Sequence, residues 1–497
     1  MFVKNFELLL GAKSPIIYIR TLEENRVDTI ISNILLNSKK YYEVFEWDYI
    51  EGFQNKRNKD TVKQSNPMQA LNYIARFSSD QPSAFVLKDF QKFITDIGIS
   101  RKLRNIIRDQ KRFRNQNESI LIIIAPEVIL PNDLVDIVSI IEFPLPTYNE
   151  IRAEILRLLW FIDDVIIEDL DFIEILVRAC QGLTMDRIRA IFSKAVFYNK
   201  SINASTLRLV LNEKREIIKQ TEILEFPDIG NITFKDIGGL ESLKEWLKIR
   251  KNAFGLKAKN YGLATPQGLL LVGVQGTGKS LSAKAIANEW QLPLLRLDVG
   301  KLFGGVIGES ETRIRNMIQL AESLAPCVLW IDEIDKAFGE NSKNGDSGTT
   351  TRVFGTFITW LSEKTAEVFV VATANQFSSL PLELVRKGRF DETFFIDLPT
   401  LNERQQIFYV LLNRLRPDRL AFFDLLELAQ SAEGFSGAEI EQSITVGMLR
   451  AFNEEREFLQ SDLLFGLNEI IPLYKIDPER MKQIQEWARS GRLRLAS

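Results

Sequence analysis

Histidine is absent from all 497 residues. Its absence removes imidazole general bases, His-activated nucleophiles and His metal ligands together, so any chemistry must run on carboxylates, lysine, arginine, hydroxyls and backbone. Cysteine is nearly absent, with only Cys180 and Cys327, and Cys327 leads into the apolar run Val328-Leu329-Trp330-Ile331. Buried reduced thiols in a reducing compartment are expected, rather than a disulfide framework. No stretch approaches about 18 apolar residues without a charge, so no membrane-inserting helix is expected. Met1 to Leu10 carries one lysine, one glutamate and a three-leucine run, which is neither a secretory signal nor an Arg- and Ser-rich transit peptide. A strong charge of one sign is also missing. The net charge of −3 and pI near 5.6 give no global attraction to nucleic acid or an anionic membrane.

Hydrophobic residues make up 45% and charged residues 26%, the balance of a globular protein, in a chain too long for one ordinary core. Apolar β-like runs alternate with longer amphipathic stretches, which predicts an α/β architecture with parallel sheets. The two halves also resemble each other at a spacing of roughly 250 residues. Ala84-Phe85-Val86-Leu87-Lys88-Asp89 parallels Val328-Leu329-Trp330-Ile331-Asp332-Glu333. Phe143-Pro144-Leu145-Pro146-Thr147 parallels Ile396-Asp397-Leu398-Pro399-Thr400, and Gly182-Leu183-Thr184 parallels Gly434-Phe435-Ser436. Ordered matches at nearly one offset predict a duplicated fold, against two unrelated α/β domains with similar punctuation. The copies differ at one point. Ile16-Ile17-Tyr18-Ile19-Arg20 runs into Thr21-Leu22-Glu23-Glu24-Asn25, without glycine or lysine, whereas Leu269-Leu270-Leu271-Val272 runs into a glycine-rich loop.

That loop, Gly273-Val274-Gln275-Gly276-Thr277-Gly278-Lys279-Ser280, fits G-x-x-x-x-G-K-[ST] between an apolar strand and an amphipathic helix. Its glycines let backbone N–H groups wrap phosphates at a helix N-terminus. Lys279 is suited to neutralise β- and γ-phosphates and Ser280 to offer its hydroxyl to Mg²⁺. About fifty residues on, an apolar strand ends in Asp332-Glu333. An acidic strand end is commonplace alone. After a phosphate loop it supplies a carboxylate for the metal shell (Asp332) and one to polarise water (Glu333). Val368 to Ala374 is a third apolar strand, ending at Asn375, whose amide would stand near the γ-phosphate if the strand lies beside the acidic one. Arg386-Lys387-Gly388-Arg389 places two guanidiniums on one loop, suited to charge developing on a phosphoryl group in the same subunit or a neighbour; a solvated basic turn is the plainer reading.

With these elements in order, residues 231–460 resemble the AAA module of the AAA+ ATPase superfamily. Asp236-Ile237-Gly238-Gly239-Leu240 is similar to the family's adenine-pocket segment, and Gly434-Phe435-Ser436-Gly437-Ala438-Glu439-Ile440 to its second sensor region. The resemblance implies ATP and Mg²⁺ as ligands and a cofactor site including Asp236, Ile237, Gly238, Gly276, Thr277, Gly278, Lys279, Ser280, Gly437 and Ala438. It makes Asn375 the first sensor and Arg386 and Arg389 arginine fingers acting across subunits of a ring, usually a hexamer. The whole chain looks most like an AAA family encoded in algal plastid genomes and cyanobacteria, in which a degenerate AAA-like domain precedes one active module. A plastid stroma, or a cyanobacterial cytoplasm, follows from that likeness. One departure concerns the aromatic pore loop of AAA unfoldases. The matching segment is Phe303-Gly304-Gly305-Val306-Ile307-Gly308-Glu309-Ser310, with valine in the aromatic position.

The expected organisation is a degenerate AAA-like domain over 1–222, a nucleotide-binding α/β domain over 223–400 and a helical lid with a C-terminal helix over 401–497. The expected function is ATP hydrolysis driving remodelling of a protein client by a ring homo-oligomer. Two alternatives stay open, a slow-turnover nucleotide-switched scaffold and a nucleic-acid-associated AAA protein. The latter rests only on the basic cluster Arg101-Lys102-Leu103-Arg104 through Arg108, Lys111, Arg112 and Arg114, which with Phe113 as its one aromatic reads more simply as a solvated helix face. Gln54 to Asn66 and Asn341 to Thr350 are expected as exposed loops, and the helix near Pro478 to Ala488 as a cap on the lid.

Overall fold

The structure, a computed structural model, describes the chain except for residues 1, 39–41, 59, 78–80, 113–118, 161–165, 168–169, 200, 220–222, 228–229, 231, 255, 304–308, 339–346, 378, 387, 480, 482–484 and 486–492. It divides into two compact units, one comprising Met1–Asp164 and Leu183–Lys194, the other Val165–Gly182 and Ala195–Ser497.

The first unit is built on seven strands: β1 (Ile16–Arg20), β2 (Glu43–Asp48), β3 (Gly52–Asn55), β4 (Thr61–Val62), β5 (Ser83–Lys88), β6 (Ser119–Ala125) and β7 (Val138–Glu142), in the order β4-β3-β2-β5-β6-β1-β7. From β2 to β7 the pairings are parallel, and β3 and β4 add antiparallel at one edge. These two short strands correct the expectation of a loop over Gln54 to Asn66. Asn55 is buried there, its amide donating to Glu43 Oε1 at 2.8 Å, so a polar stretch serves as a sheet edge rather than free surface.

In the second unit β8 (Ile166–Ile167) and β9 (Ser201–Ile202) form a small parallel pair. The main sheet contains β10 (Leu224–Glu225), β11 (Gly268–Gly273), β12 (Leu294–Leu297), β13 (Cys327–Ile331), β14 (Val368–Ala374), β15 (Glu392–Ile396) and β16 (Arg494–Leu495), in the order β10-β12-β13-β14-β11-β15-β16. The parallel core β12-β13-β14-β11-β15 repeats the order of β2-β5-β6-β1-β7, so the duplication legible in the sequence is a duplicated sheet. The match extends to single residues. Asp89 and Glu333, paired by the sequence repeat, both leave their strands with left-handed backbone, φ 53° in each. Thr147 with Glu150 and Thr400 with Glu403 form the same reciprocal cap at the start of the following helix.

Side chains along β11 alternate between two apolar layers. Leu270 and Val272 enter one cluster with Leu329, Val370 and Phe357, while Leu269 and Leu271 enter another with Trp290, Phe369 and Phe394. Burial on both faces explains why these strands read as unbroken apolar runs. It also leaves the carboxyl ends of β11, β13 and β14 as the place where loops carry polar groups. Helices over Leu401–Leu415, Leu425–Ser431, Gly437–Asn453 and Gln460–Glu469 bury a separate core around Phe408, Phe435 and Ile444. β16 adds to the sheet from the end of the stretch read from sequence as a helical lid with a C-terminal helix. The helix expected near Pro478 to Ala488 falls largely outside the described residues, as does most of Asn341 to Thr350. Ser347 to Thr350 open the helix Ser347–Glu363 instead of lying in a loop. Among the described residues, no helix is long and apolar enough to cross a membrane.

Candidate functional site

A cleft of about 460 Å³ opens at the carboxyl ends of β11, β13 and β14 and is closed on its far side by the helices Leu401–Leu415 and Gly437–Asn453. Its floor is the loop between β11 and the helix Lys279–Trp290. Gly278, at φ 92°, turns the chain so that the first N–H groups of that helix face the cleft, an anion site made by the free amides and the helix dipole. Gly276, at φ 80°, lies so close to the lid that a Cβ there would stand 2.9 Å from Ser436 Oγ. Its carbonyl accepts the Ala438 N–H at 3.0 Å.

Lys279 is buried, and its ammonium donates to the Gly273 and Val274 carbonyls at 2.9 and 2.6 Å. Burial pushes its pKa down to about 8, against the pull of Asp335, Asp332 and Glu333. A cation partly stripped of water beside free amides suits a polyphosphate, whose charge would restore the ammonium.

Ser280 Oγ stands 3.3 Å from Asp332 Oδ1. Among the described residues no group of three His, Cys, Asp or Glu side chains could hold a metal by itself. A hydroxyl and one carboxylate nevertheless fit Mg²⁺, which prefers hard oxygens and usually takes one or two protein ligands beside phosphates and water. Ser280 and Asp332 are therefore the residues that would hold it, and when bound it would neutralise charge on the phosphates.

The acids are set by the neighbouring strand. Thr373 Oγ1, on β14, donates to Asp332 Oδ1 at 2.6 Å and accepts the Glu333 N–H at 3.0 Å. Glu333 leaves β13 in left-handed backbone and points into the cleft, where Asn375 Nδ2 donates to its Oε1 at 3.0 Å and Lys336 Nζ lies 2.6 Å from its Oε2. Asp335, also buried, accepts the N–H groups of Asn375 and Gln376 at 3.2 and 3.0 Å and so holds the end of β14. This arrangement can orient a water between Glu333 and Asn375.

The wall opposite the floor is Asp236-Ile237-Gly238. The Asp236 carboxylate caps its own turn, accepting the Thr233 N–H and hydroxyl at 2.7 and 2.8 Å. The wall is held from the lid: Gly239 N–H donates to Gln406 Oε1 at 2.8 Å and Leu240 N–H to Glu403 Oε1 at 3.3 Å. Burial raises the Glu403 pKa, but hydrogen bonds from Thr400, Ser497 and Leu240 outweigh it and hold the carboxyl below its ordinary range. Ile407, Val410 and Leu411 give this end an apolar lining suited to a flat base.

Asp236, Ile237, Gly238, Gly276, Thr277, Gly278, Lys279, Ser280, Asp332, Glu333, Asn375, Gly437 and Ala438 thus all line one cleft. Arg386 and Arg389 do not. Arg386 is exposed, and Arg389 is half-buried with Nη1 buried and without a hydrogen-bond partner. Phe303 is partly buried, its ring 5.9 Å from Phe338 at the edge of the core; Val306 lies outside the described residues. Sequence reasoning missed Thr373, Asp335, Glu403 and Gln406. Asp335 had a visible signal, the third acid of Asp332-Glu333-Ile334-Asp335, whereas a threonine inside an apolar strand had none.

The corresponding place in the first unit is filled by its own charges. Glu23 is buried, and its Oε1 accepts the Met185 N–H at 2.6 Å. Lys88, where the second unit has Asp332, lies 3.3, 3.4 and 3.5 Å from Glu24, Asp28 and Glu46. Burial works against the Lys88 ammonium, but Asp28, Glu46 and Glu24 prevail and hold its pKa up to about 12. Carboxylates at the head of the helix Glu24–Leu36 would repel a phosphate.

Family models match both halves of the chain. Residues 269–398 match the model of the ATPase family associated with various cellular activities (AAA). Residues 2–143 match the N-terminal domain of SpoVK-like AAA ATPases, and 149–221 their second domain. The chain is 51% identical over 491 residues to AAA domain-containing protein ycf46 of Trieres chinensis, covering 99% of this chain and 97% of that one. It is 51% identical over 497 residues to the protein of the same name from Guillardia theta, covering 100% and 96%. ATP-dependent zinc metalloprotease FtsH of Karelsulcia muelleri is 38% identical over 221 residues, 42% of this chain and 35% of that protein.

Proposed function

Because the chain belongs to the AAA ATPases, within the group of ycf46 AAA domain-containing proteins, we propose that it binds ATP with Mg²⁺ in the cleft of its second unit and hydrolyses it to ADP and phosphate. The observation that carries this reading is the convergence of Lys279, Ser280, Asp332, Glu333 and Asn375 on one cleft from three strand ends. In this reading Lys279 and the loop amides bind the phosphates, Glu333 takes a proton from water oriented with Asn375, and Arg386 and Arg389 serve a neighbouring subunit. That last role suits two arginines outside their own chain's cleft.

The working division is a nucleotide-free AAA-like domain over 1–222, the catalytic α/β domain over 223–400 and the lid over 401–497. The output is remodelling of a protein client by a homo-oligomeric ring, a hexamer by family likeness. FtsH likeness covers 42% of this chain and 35% of that protein, and a chain without histidine has no His-x-x-x-His zinc motif. Relatives from algal plastid genomes support a plastid location, and we place it in the stroma.

The test is ATP turnover per subunit against protein concentration, with Lys279→Ala as blank. Turnover should rise with concentration and level off, and Arg389→Ala should lower the plateau, since such fingers are worth roughly 10³–10⁵ in other nucleotide hydrolases. Turnover that is flat, or equal to the blank, refutes catalysis across subunits. One observation favours the slow-turnover scaffold as second reading: both Glu333 oxygens are engaged, by Asn375 and by Lys336. Each oxygen already holds a donor that an attacking water would have to displace or share, although Lys336 is largely exposed and its pairing correspondingly weak. Full function of Glu333→Gln in cells would decide for the scaffold.

A further inference from the structure

β16 is a two-residue strand, yet it and the two residues after it are tied to three separate parts of the catalytic unit. It pairs in parallel with β15, Phe394 opposite Arg494 and Phe395 opposite Leu495. The Ala496 N–H continues the ladder to the Phe395 carbonyl at 3.0 Å. The Ala496 carbonyl accepts the Leu243 N–H at 3.1 Å, one of the amides that the start of the helix Glu241–Arg250 leaves free. Ser497 Oγ donates to Glu403 Oε1 at 2.7 Å, the same oxygen that receives the Leu240 N–H. Ala496 is fully buried while Arg494, Leu495 and Ser497 are exposed, so the segment lies on the sheet edge and is anchored there by Ala496.

These attachments all bear on the wall of the cleft. β15 leads through Asp397 and Pro399, both lining the cleft, into the first lid helix, so pairing on its edge steadies the connection between sheet and lid. Glu403 sits on that lid helix and reaches back to the Gly238-Gly239-Leu240 wall. The wall has no slack: a Cβ at Gly239 would stand 2.6 Å from Glu403 Cγ, and one at Gly238 would stand 2.6 Å from Ile407 Cγ1. Leu240 itself is in left-handed backbone at φ 60°, a conformation that persists only when its surroundings enforce it.

We propose that residues 493–497 form a positioning strand for nucleotide: by closing the edge of β15 and fixing Glu403, they hold the Gly238–Leu240 wall at the spacing that grips the base, so removing the strand weakens nucleotide binding without disabling the catalytic acids. The hydrogen bonds that hold Asp332, Glu333 and Asn375 come from Ser280, Thr373, Lys336 and Asp335, and none from this segment. A partner that captured the strand would lower the affinity of the site for nucleotide and so act as a release factor. The proposal rests on the reading of the cleft as a nucleotide site.

The test is Mg-ADP affinity and steady-state ATP turnover of the full chain, of the chain lacking 493–497, and of Ser497→Ala. For the deletion, affinity should fall about tenfold with KM for ATP rising in step and kcat within about twofold. A peptide of residues 490–497 added in trans should restore most of the lost affinity. For Ser497→Ala, which removes one hydrogen bond to a carboxylate and leaves the strand, about a fivefold loss is expected. An unchanged affinity in a deletion variant that still unfolds cooperatively overturns the proposal. Where the deletion does not fold, an unchanged affinity in Ser497→Ala overturns it. Failure of the intact chain to bind Mg-ADP overturns the nucleotide reading itself, and this inference with it.

Discussion

Thr373→Val removes one oxygen from the interior while keeping nearly the same shape. That oxygen makes two bonds, a donation to Asp332 Oδ1 at 2.6 Å and an acceptance from the Glu333 N–H at 3.0 Å, and Thr373 is only 1% exposed. Losing a donor to a carboxylate costs about 1.5–3 kcal/mol, and leaving a buried N–H without a partner about 1–3 kcal/mol more. Some relaxation offsets the sum, so the variant should be about 3 kcal/mol less stable. The larger effect is catalytic. Glu333 stands in left-handed backbone that the Thr373 contact helps to hold, and a displacement of about 1 Å at a reacting group can lower the rate about 10²-fold. The expected result is a kcat about 10²-fold lower with KM for ATP within about threefold, because phosphate binding rests on the loop of residues 273–280. Thr373→Ser keeps the hydroxyl and should recover most of kcat. The assay is steady-state ATP turnover alongside urea unfolding. A kcat within twofold of the parent in a folded Thr373→Val would refute the idea that β14 positions the two acids.

Two further outcomes follow from the same geometry. Gly276→Val places a side chain against Ser436 Oγ and Ala438 Cβ, 2.9 and 3.1 Å from a Cβ, at φ 80°; Mg-ATP affinity should fall at least about tenfold while the fold survives, since the strain is only about 1–3 kcal/mol. Equilibrium binding checks this, and affinity within twofold contradicts it. Lys214 is fully buried, donating to the Leu324 carbonyl at 3.3 Å, and burial lowers its pKa from 10.5 to about 8. The unfolded chain therefore holds the extra proton between pH 8 and 10.5, and stability rises with pH across that window. Between pH 7.5 and 9.5 the parent should gain roughly 2 kcal/mol more from this residue than Lys214→Met does. Identical pH dependence of urea unfolding in the two proteins would count against the buried-cation account.

The phosphate loop, the acidic strand end and the repeated sheet could all be read from the chain because each is set by neighbours in sequence. A glycine-rich loop has few other uses between a buried strand and a helix, and a strand buried on both faces announces itself as an unbroken apolar run. The duplication was legible for the same reason, since strand ends and helix caps such as Thr147-Glu150 and Thr400-Glu403 repeat as short local patterns. Composition alone misjudged Gln54 to Asn66, where polar residues form an edge of the first sheet. It says nothing of the packing of Phe303, whose ring lies beside Phe338 through a contact that no local pattern encodes.

What the sequence by itself determined is the chemistry available: an ammonium, a hydroxyl, two acids and an amide on successive strand ends, in a chain without histidine. What only the tertiary structure decided is how those groups are held. Thr373 faces Asp332 because β14 lies beside β13 in register. Glu403 reaches Leu240 because the lid folds back over the cleft, and Ser497 reaches Glu403 because β16 closes the sheet edge. Each of these contacts joins residues far apart in the chain through a single hydrogen bond. Such pairings leave no periodicity or motif behind, since any chain position able to arrive at the right place could have supplied them.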